Sequence, residues 1–170
     1  MTRVRMKLIM LFLVAGYAAN SQLLPDRDTA AVNRLNDESK SLVGTDSSKA
    51  ISLALQAKEI AVEIEYPKGE AYALKNLGLV YYMKGKYPET LDYWNPSLQI
   101  FENLKDDVGI SNMLSNIGAI YLNQGADTKA LEYMLRSLQL AEKIGDTLRM
   151  ITALSNIAAI YYNKKDPVAL

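Results

Sequence analysis

The stretch SNIGAIYLNQG, Ser115 to Gly125, returns in altered form at a fixed step of 40 residues. It reads KNLGLVYYMKG from Lys75 and SNIAAIYYNKK from Ser155. A period of this size is the mark of a chain built by stacking one small unit. Such a unit cannot bury its apolar face alone and needs a neighbour to cover it. Leu74, Leu114 and Leu154 align, as do Leu77, Ile117 and Ile157. Gly78, Gly118 and Ala158 follow, then Tyr81, Tyr121 and Tyr161. A second block keeps the same step through Ala50, Thr90 and Ala130, then Ile64, Leu104 and Ile144. No gap is needed between Ala50 and Leu170.

Each block has the spacing of an amphipathic helix. Leu114, Ile117, Gly118 and Tyr121 recur at i, i+3, i+4 and i+7, which puts them on one face. Leu131, Leu135 and Leu138 do much the same in the second block. Gly85, Gly125 and the run Lys165-Asp166-Pro167 break the chain after the first block. Tyr66-Pro67-Lys68-Gly69, Asp106-Asp107-Val108-Gly109 and Gly145-Asp146-Thr147-Leu148 break it after the second. Asp106 and Asp146 suit helix N-caps, where a carboxylate accepts from free backbone N–H groups. The spacing therefore predicts helices over 70–84 with 88–104, 110–124 with 128–144, and 150–164 with one beginning near 167.

These residues resemble the tetratricopeptide repeat (TPR), in its long variant. The likeness is carried by Leu74, Leu77, Gly78 and Tyr81, followed by Thr90, Trp94 and Ser97. The next unit supplies Leu114, Ile117, Gly118, Tyr121, Ala130, Met134 and Ser137. The third supplies Leu154, Ile157, Ala158 and Tyr161, and Leu170 stands where the family has a small alanine. The resemblance covers residues 47–170 and implies an all-α, right-handed superhelical solenoid of antiparallel helix pairs, truncated within its last repeat. Residues 22–46 read as a linker and a degenerate capping half-repeat, because only Asn36 and Leu42 fit and Glu38 replaces the glycine. Pro96 removes one backbone hydrogen bond inside a second helix. It either bends the groove or is tolerated on an outer helix.

An asparagine precedes the apolar run in every unit: Asn76, Asn116 and Asn156. In TPR-like packing the first helices line the concave face, and the resemblance puts these amides there. An Asn side chain offers two donors and an acceptor, so a row of them can pair with a peptide main chain without reading its sequence. Alternatively each amide bonds a carbonyl of the next repeat and sets the stacking. Asn36 occupies the matching place one unit earlier. Tyr72, Lys75, Tyr82, Asn112, Asn123, Tyr162 and Asn163 complete the candidate peptide-binding groove. Aromatic residues at such positions also serve as packing.

Ahead of the repeats, Arg3, Arg5 and Lys7 precede a 12-residue apolar run, Leu8 to Ala19, and small residues follow. The run is too short to span about 30 Å of hydrocarbon and has the form of a signal-peptide core. Residues 1–21 are expected to be a signal peptide, cleaved after Ser21 or after Ala18, with a buried N-terminal helix as the alternative. The chain is then exported, to the periplasm or cell surface of a bacterium. Long TPRs behind such a leader resemble the sensor regions of bacterial membrane signalling proteins, which implies a transmembrane helix and output domain further on. A free adaptor without an output domain is the alternative. Ile157, Ile160 and Tyr161 are expected to lack a covering helix, as in a piece of a longer protein or one that forms a homodimer there.

Little else in the chain carries chemistry. It has no Cys and no His, which removes thiol and imidazole catalysis and the usual zinc ligands. Glu63 with Glu65, and Asp106 with Asp107, lack the companions that acid–base work or a cation site needs, and read as solvated helix ends. The net charge is zero and no basic stripe separates the aromatics, so a nucleic-acid partner is not expected. No cofactor is implied. A non-catalytic scaffold for a protein or extended peptide segment remains, touching a membrane only through its leader or a segment beyond Leu170.

Overall fold

The computed structural model describes residues 28–165, and side chains as far as Tyr162. The expected signal peptide, residues 1–21, and Leu170 lie outside this range. Seven helices, and no strands, occur among the described residues. They are α1 (Thr29–Leu42), α2 (Ser47–Glu63), α3 (Pro67–Met83), α4 (Tyr87–Leu104), α5 (Asp107–Asn123), α6 (Asp127–Ile144) and α7 (Thr147–Lys165). Each packs on its neighbours in sequence, and α1 also meets α3, as α5 meets α7. The result is a TPR-like helical repeat fold.

The first helices begin earlier than the breakers suggested, at Pro67, Asp107 and Thr147 rather than at 70, 110 and 150. Proline suits the first turn because its missing N–H has no helical partner there. Asp106 accepts from Gly109 N–H at 3.0 Å, and Asp146 from Arg149 N–H at 3.0 Å. Both act as the expected N-caps. Gly69 and Gly109 are not breakers but buried helical residues. A Cβ on Gly109 would stand 2.3 Å from Phe101 Cδ1, so the glycine is there for close approach. The span expected as a degenerate capping half-repeat, 22–46, contains α1. Asp28 caps α1 through Ala31 N–H at 2.7 Å. Ser39 then donates to the Ala50 carbonyl at 2.8 Å, so that α1 and α2 form a complete pair.

The central core joins α3, α4 and α5. Trp94, Leu98 and Phe101 of α4 pack with Ala71, Ile110, Met113, Leu114, Ile117 and Ile120. Leu74 and Leu77 are also buried. Gly78 leaves the space that the Trp94 indole fills, since a Cβ there would lie 2.3 Å from its Cδ1. Gly118 plays the same part more loosely, 3.2 Å from Met134 Cγ on that measure. Ser97 donates to the Ala71 carbonyl at 2.8 Å, and Ser137 to that of Ser111 at 2.9 Å, the same tie one repeat apart. The expected core tyrosines are only half-buried. Tyr81 stacks on Tyr93 and Tyr121 on Tyr133, each with centroids 5.4 Å apart, at the edge of their helix pairs. α4 runs unbroken through Pro96, which is exposed on its outer side.

In the last repeat the core assignment holds only in part. Leu154 is 52% and Tyr161 54% exposed, and Ala158 is exposed with them. They occupy the face that α4 covers on α3 and α6 covers on α5. Ile157 is half-buried. Ile160, expected to be uncovered, is fully buried against Ala130 and Met134, because its side of α7 turns back onto α6.

The second helices end at matching places 40 residues apart. Glu65, Lys105 and Gly145 have φ of 53°, 54° and 69°. This left-handed conformation costs an L-residue with a Cβ about 1–2 kcal/mol. Lys105→Gly is therefore expected to stabilise the chain by about 1 kcal/mol once the looser unfolded state is subtracted. A shift of the urea midpoint upward with unchanged slope checks this. No shift, or a fall, would show that Lys105 is not strained.

Candidate functional site

The asparagine row splits into two kinds. Asn76 is 4% exposed and its Nδ2 donates to the Asn36 carbonyl at 2.8 Å. Asn36 in turn donates to the Gly69 carbonyl at 3.0 Å. These amides fasten α1 to α3, as in the stacking alternative. Asn116 and Asn156 are half-buried, and among the described residues neither side chain makes a hydrogen bond. For Asn116 the cause is helix spacing. α1 and α3 are in close contact, whereas α3 and α5 stand further apart, so the Asn116 amide does not reach the next carbonyl.

Other ties hold these later steps. Lys68 pairs with Asp106 at 2.8 Å at one end of the α3–α5 step, and Asn123 donates to the Tyr82 hydroxyl at 3.2 Å at the other. Burial pushes the Asp106 carboxyl up, but the Lys68 ammonium and the Gly109 N–H outweigh it and hold the group below its ordinary value. Arg149 of α7 donates from Nε to Asn112 Oδ1 of α5 at 3.0 Å, and pairs with Asp146. Asn112, Asn123 and Tyr82 thus connect repeats. Tyr82 also stacks on Trp94 at 5.5 Å, and Tyr72 meets Phe101 edge-on at 5.3 Å. Tyr162 is 74% exposed and stands apart from this cluster. Asn163 lies on α7, with its side chain outside the described residues.

A recess of about 300 Å³ opens between α1 and α3. Tyr72, Lys75 and Asn76 line it from α3, and Asn33, Asn36, Asp37 and Lys40 from α1. The Lys75 ammonium sits 5.7 Å from the Tyr72 ring centroid. Burial, then the charges of Lys40 and Arg149, push its pKa down. Among the described residues no carboxylate forms a salt bridge with Lys75 or Lys40. Asn36 Oδ1 is buried with no hydrogen-bond partner. Sequence reasoning missed the α1 wall, although Asn33, Asn36, Asp37 and Lys40 keep the i, i+3, i+4, i+7 spacing of one helix face. It also missed Arg149, which carries no repeat signal because glycine stands 40 residues earlier.

The arrangement supplies amides, ammonium groups and aromatic faces, all suited to binding. Among the described residues no cluster of acidic side chains is placed to hold a metal, and no helix is long and apolar enough to cross a membrane. Paired helices, repeated glycine–aromatic contacts and a lined inner face define a helical repeat protein of the interaction type. The tetratricopeptide repeat family model matches residues 69–143 and 109–168, and the chain belongs to that family. Comparison with curated protein sequences gives no match. Among solved structures the chain is similar to BtubC (BKLC) from P. vanneervenii, with a TM-score of 0.67 and 18% identity. The likeness covers 85% of this chain and 61% of that one, and at such identity it speaks for the fold alone. Tetratricopeptide repeats are protein-interaction scaffolds.

Proposed function

We propose that the chain binds an extended segment of a partner protein along the face of α3, α5 and α7 that carries Asn116 and Asn156. One observation carries this reading. Both amides are half-buried yet have no hydrogen-bond partner among the described residues, while Asn76 and Asn36 each donate to a carbonyl of the facing helix. A main chain laid along the groove supplies the missing donors and acceptors at every step. We further propose that the chain is exported, on the strength of the basic start and the apolar run of Leu8 to Ala19. Its place is then the ligand-facing part of a bacterial membrane signalling protein, with a free-standing adaptor as the second reading.

Selection of peptides from a random display library against the purified chain tests the groove. The double variant Asn116→Ala, Asn156→Ala is expected to weaken the selected peptides roughly tenfold or more, about one net hydrogen bond per site. Its melting should stay close to the parent's. Peptides that bind both proteins equally would overturn the reading, as would a selection that yields no groove binder.

A further inference from the structure

We propose that the apolar face of α7 formed by Ile151, Leu154, Ala158 and Tyr161 docks an amphipathic helix of a partner protein, one with an acidic first turn and no tryptophan on its buried side.

At 3.6 residues per turn this face lies opposite the one that carries Asn156, so it is separate from the peptide groove. All four residues are exposed. Their counterparts in the two earlier repeats are buried or half-buried beneath a second helix, and those helices are templates for the occupant. α4 is tied to α3 by the Ser97 hydroxyl on the Ala71 carbonyl, and α6 to α5 by that of Ser137 on Ser111. Ile151 stands at the matching place in α7. Tyr81 and Tyr121 each stack on a tyrosine of the covering helix, whereas among the described residues no ring stacks on Tyr161.

Two substitutions make this face selective for size. Ala71 and Ser111 give way to Ile151, and Gly78 and Gly118 to Ala158. A Cβ on Gly78 would meet the Trp94 ring at 2.3 Å, but on Gly118 its nearest neighbours, Met134 Cγ and Tyr133 Cβ, are 3.2 Å away. The flexible Met134 can give by a few tenths of an ångström where the rigid indole cannot. α7 therefore admits a helix faced like α6 and shuts out one faced like α4. Leu170 takes the place of Thr90 and Ala130, which are fully buried. A helix continued from Pro167 in their register would press a larger side chain onto a face that Ile151 and Ala158 have already filled. A helix from another molecule is free to choose its own height.

Charge narrows the choice further. α7 carries Arg149, Lys164 and Lys165 and no Asp or Glu. Two copies meeting through α7 would bring these like charges together. Lys129 reaches Tyr121 late in α5 and Lys143 reaches Asp107 at its start, so a covering helix runs antiparallel to the one beneath it. The first turn of such a helix on α7 comes beside the turn that holds Lys164 and Lys165. An acid there also suits the helix's own positive N-terminus.

NMR of the full chain with labelled Ile, Leu and Ala methyl groups tests the docking site. The probe is an end-capped synthetic peptide of the α6 sequence, Asp127–Ile144. Saturable changes are expected at Ile151, Leu154 and Ala158, with a Kd on the order of 10–100 μM, because the free peptide must first fold. Met134→Trp in the peptide should weaken binding roughly tenfold or more, and Ala158→Gly in the chain should recover most of that loss. Thr128→Glu in the peptide should bind roughly threefold more tightly than Thr128→Lys, a difference that closes at high salt. Leu154→Asp in the chain, at an exposed position where melting should hold, should abolish the response. Absence of saturable binding overturns the proposal, as do equal affinity of the Met134→Trp peptide or no preference for Glu over Lys. A dimer of the chain alone that Leu154→Asp dissolves would assign the face to a second copy. Binding to anionic lipid vesicles that the same variant removes would assign it to a membrane. Either result overturns the partner helix.

Discussion

Trp94→Ala is expected to lower the unfolding free energy by about 3–5 kcal/mol, the range for truncating a fully buried large aromatic. Three separate contacts are lost at once. The indole fills the space left by Gly78, its Nε1 donates to the Lys75 carbonyl at 3.0 Å, and its face supports Tyr82. The surrounding wall cannot collapse far, because Leu77 and Leu98 are already buried among other neighbours. Urea unfolding followed by far-ultraviolet circular dichroism measures the change. Trp94→Phe separates the terms: it keeps most of the apolar volume, loses the hydrogen bond, and should cost about 1–2 kcal/mol. A loss below about 1 kcal/mol for the alanine variant would mean that α3 and α4 are held together elsewhere.

Asn76→Ala should cost about 1–3 kcal/mol, while Asn116→Ala changes stability by no more than about 0.5 kcal/mol. The two positions look alike, 40 residues apart on matching helices. They differ in what their removal leaves behind. Without the Asn76 amide the Asn36 carbonyl loses the donor that joins α1 to α3. Without the Asn116 amide no protein group loses a partner among the described residues. Paired thermal melts read the contrast. Equal losses would show that the row acts as one structural ladder, and the groove reading would lose its support.

Those two asparagines also mark the limit of what the sequence makes legible. The 40-residue period, the helix pairs, the N-caps at Asp106 and Asp146 and the small-residue places at Gly78 and Gly118 all follow from local pattern. Each is set by contacts inside one repeat, which periodicity encodes. Whether an amide meets the next carbonyl depends on the distance between repeats, and identical residues at identical spacing do not report it. The helix starts were misplaced because Gly69 and Gly109 read as breakers, when they admit Tyr66 and Phe101 against the helix. α1 was undervalued for the opposite reason. Its repeat signature has decayed, with Glu38 in the glycine place, but Asp28 and the Asn33–Lys40 face still mark a full helix. The recess between α1 and α3 needed two helices brought side by side and was not visible in either alone.

The uneven spacing of the first helices also has a mechanical meaning. Between α1 and α3 the backbone is pinned mid-helix by a buried amide, whereas between α3 and α5 the polar ties sit at the two ends, Lys68–Asp106 and Tyr82–Asn123. A ladder rung fixed at its middle resists spreading; one fastened at its ends gives at the centre. The α3–α5 step is therefore expected to yield to stretching or winding before the α1–α3 step does.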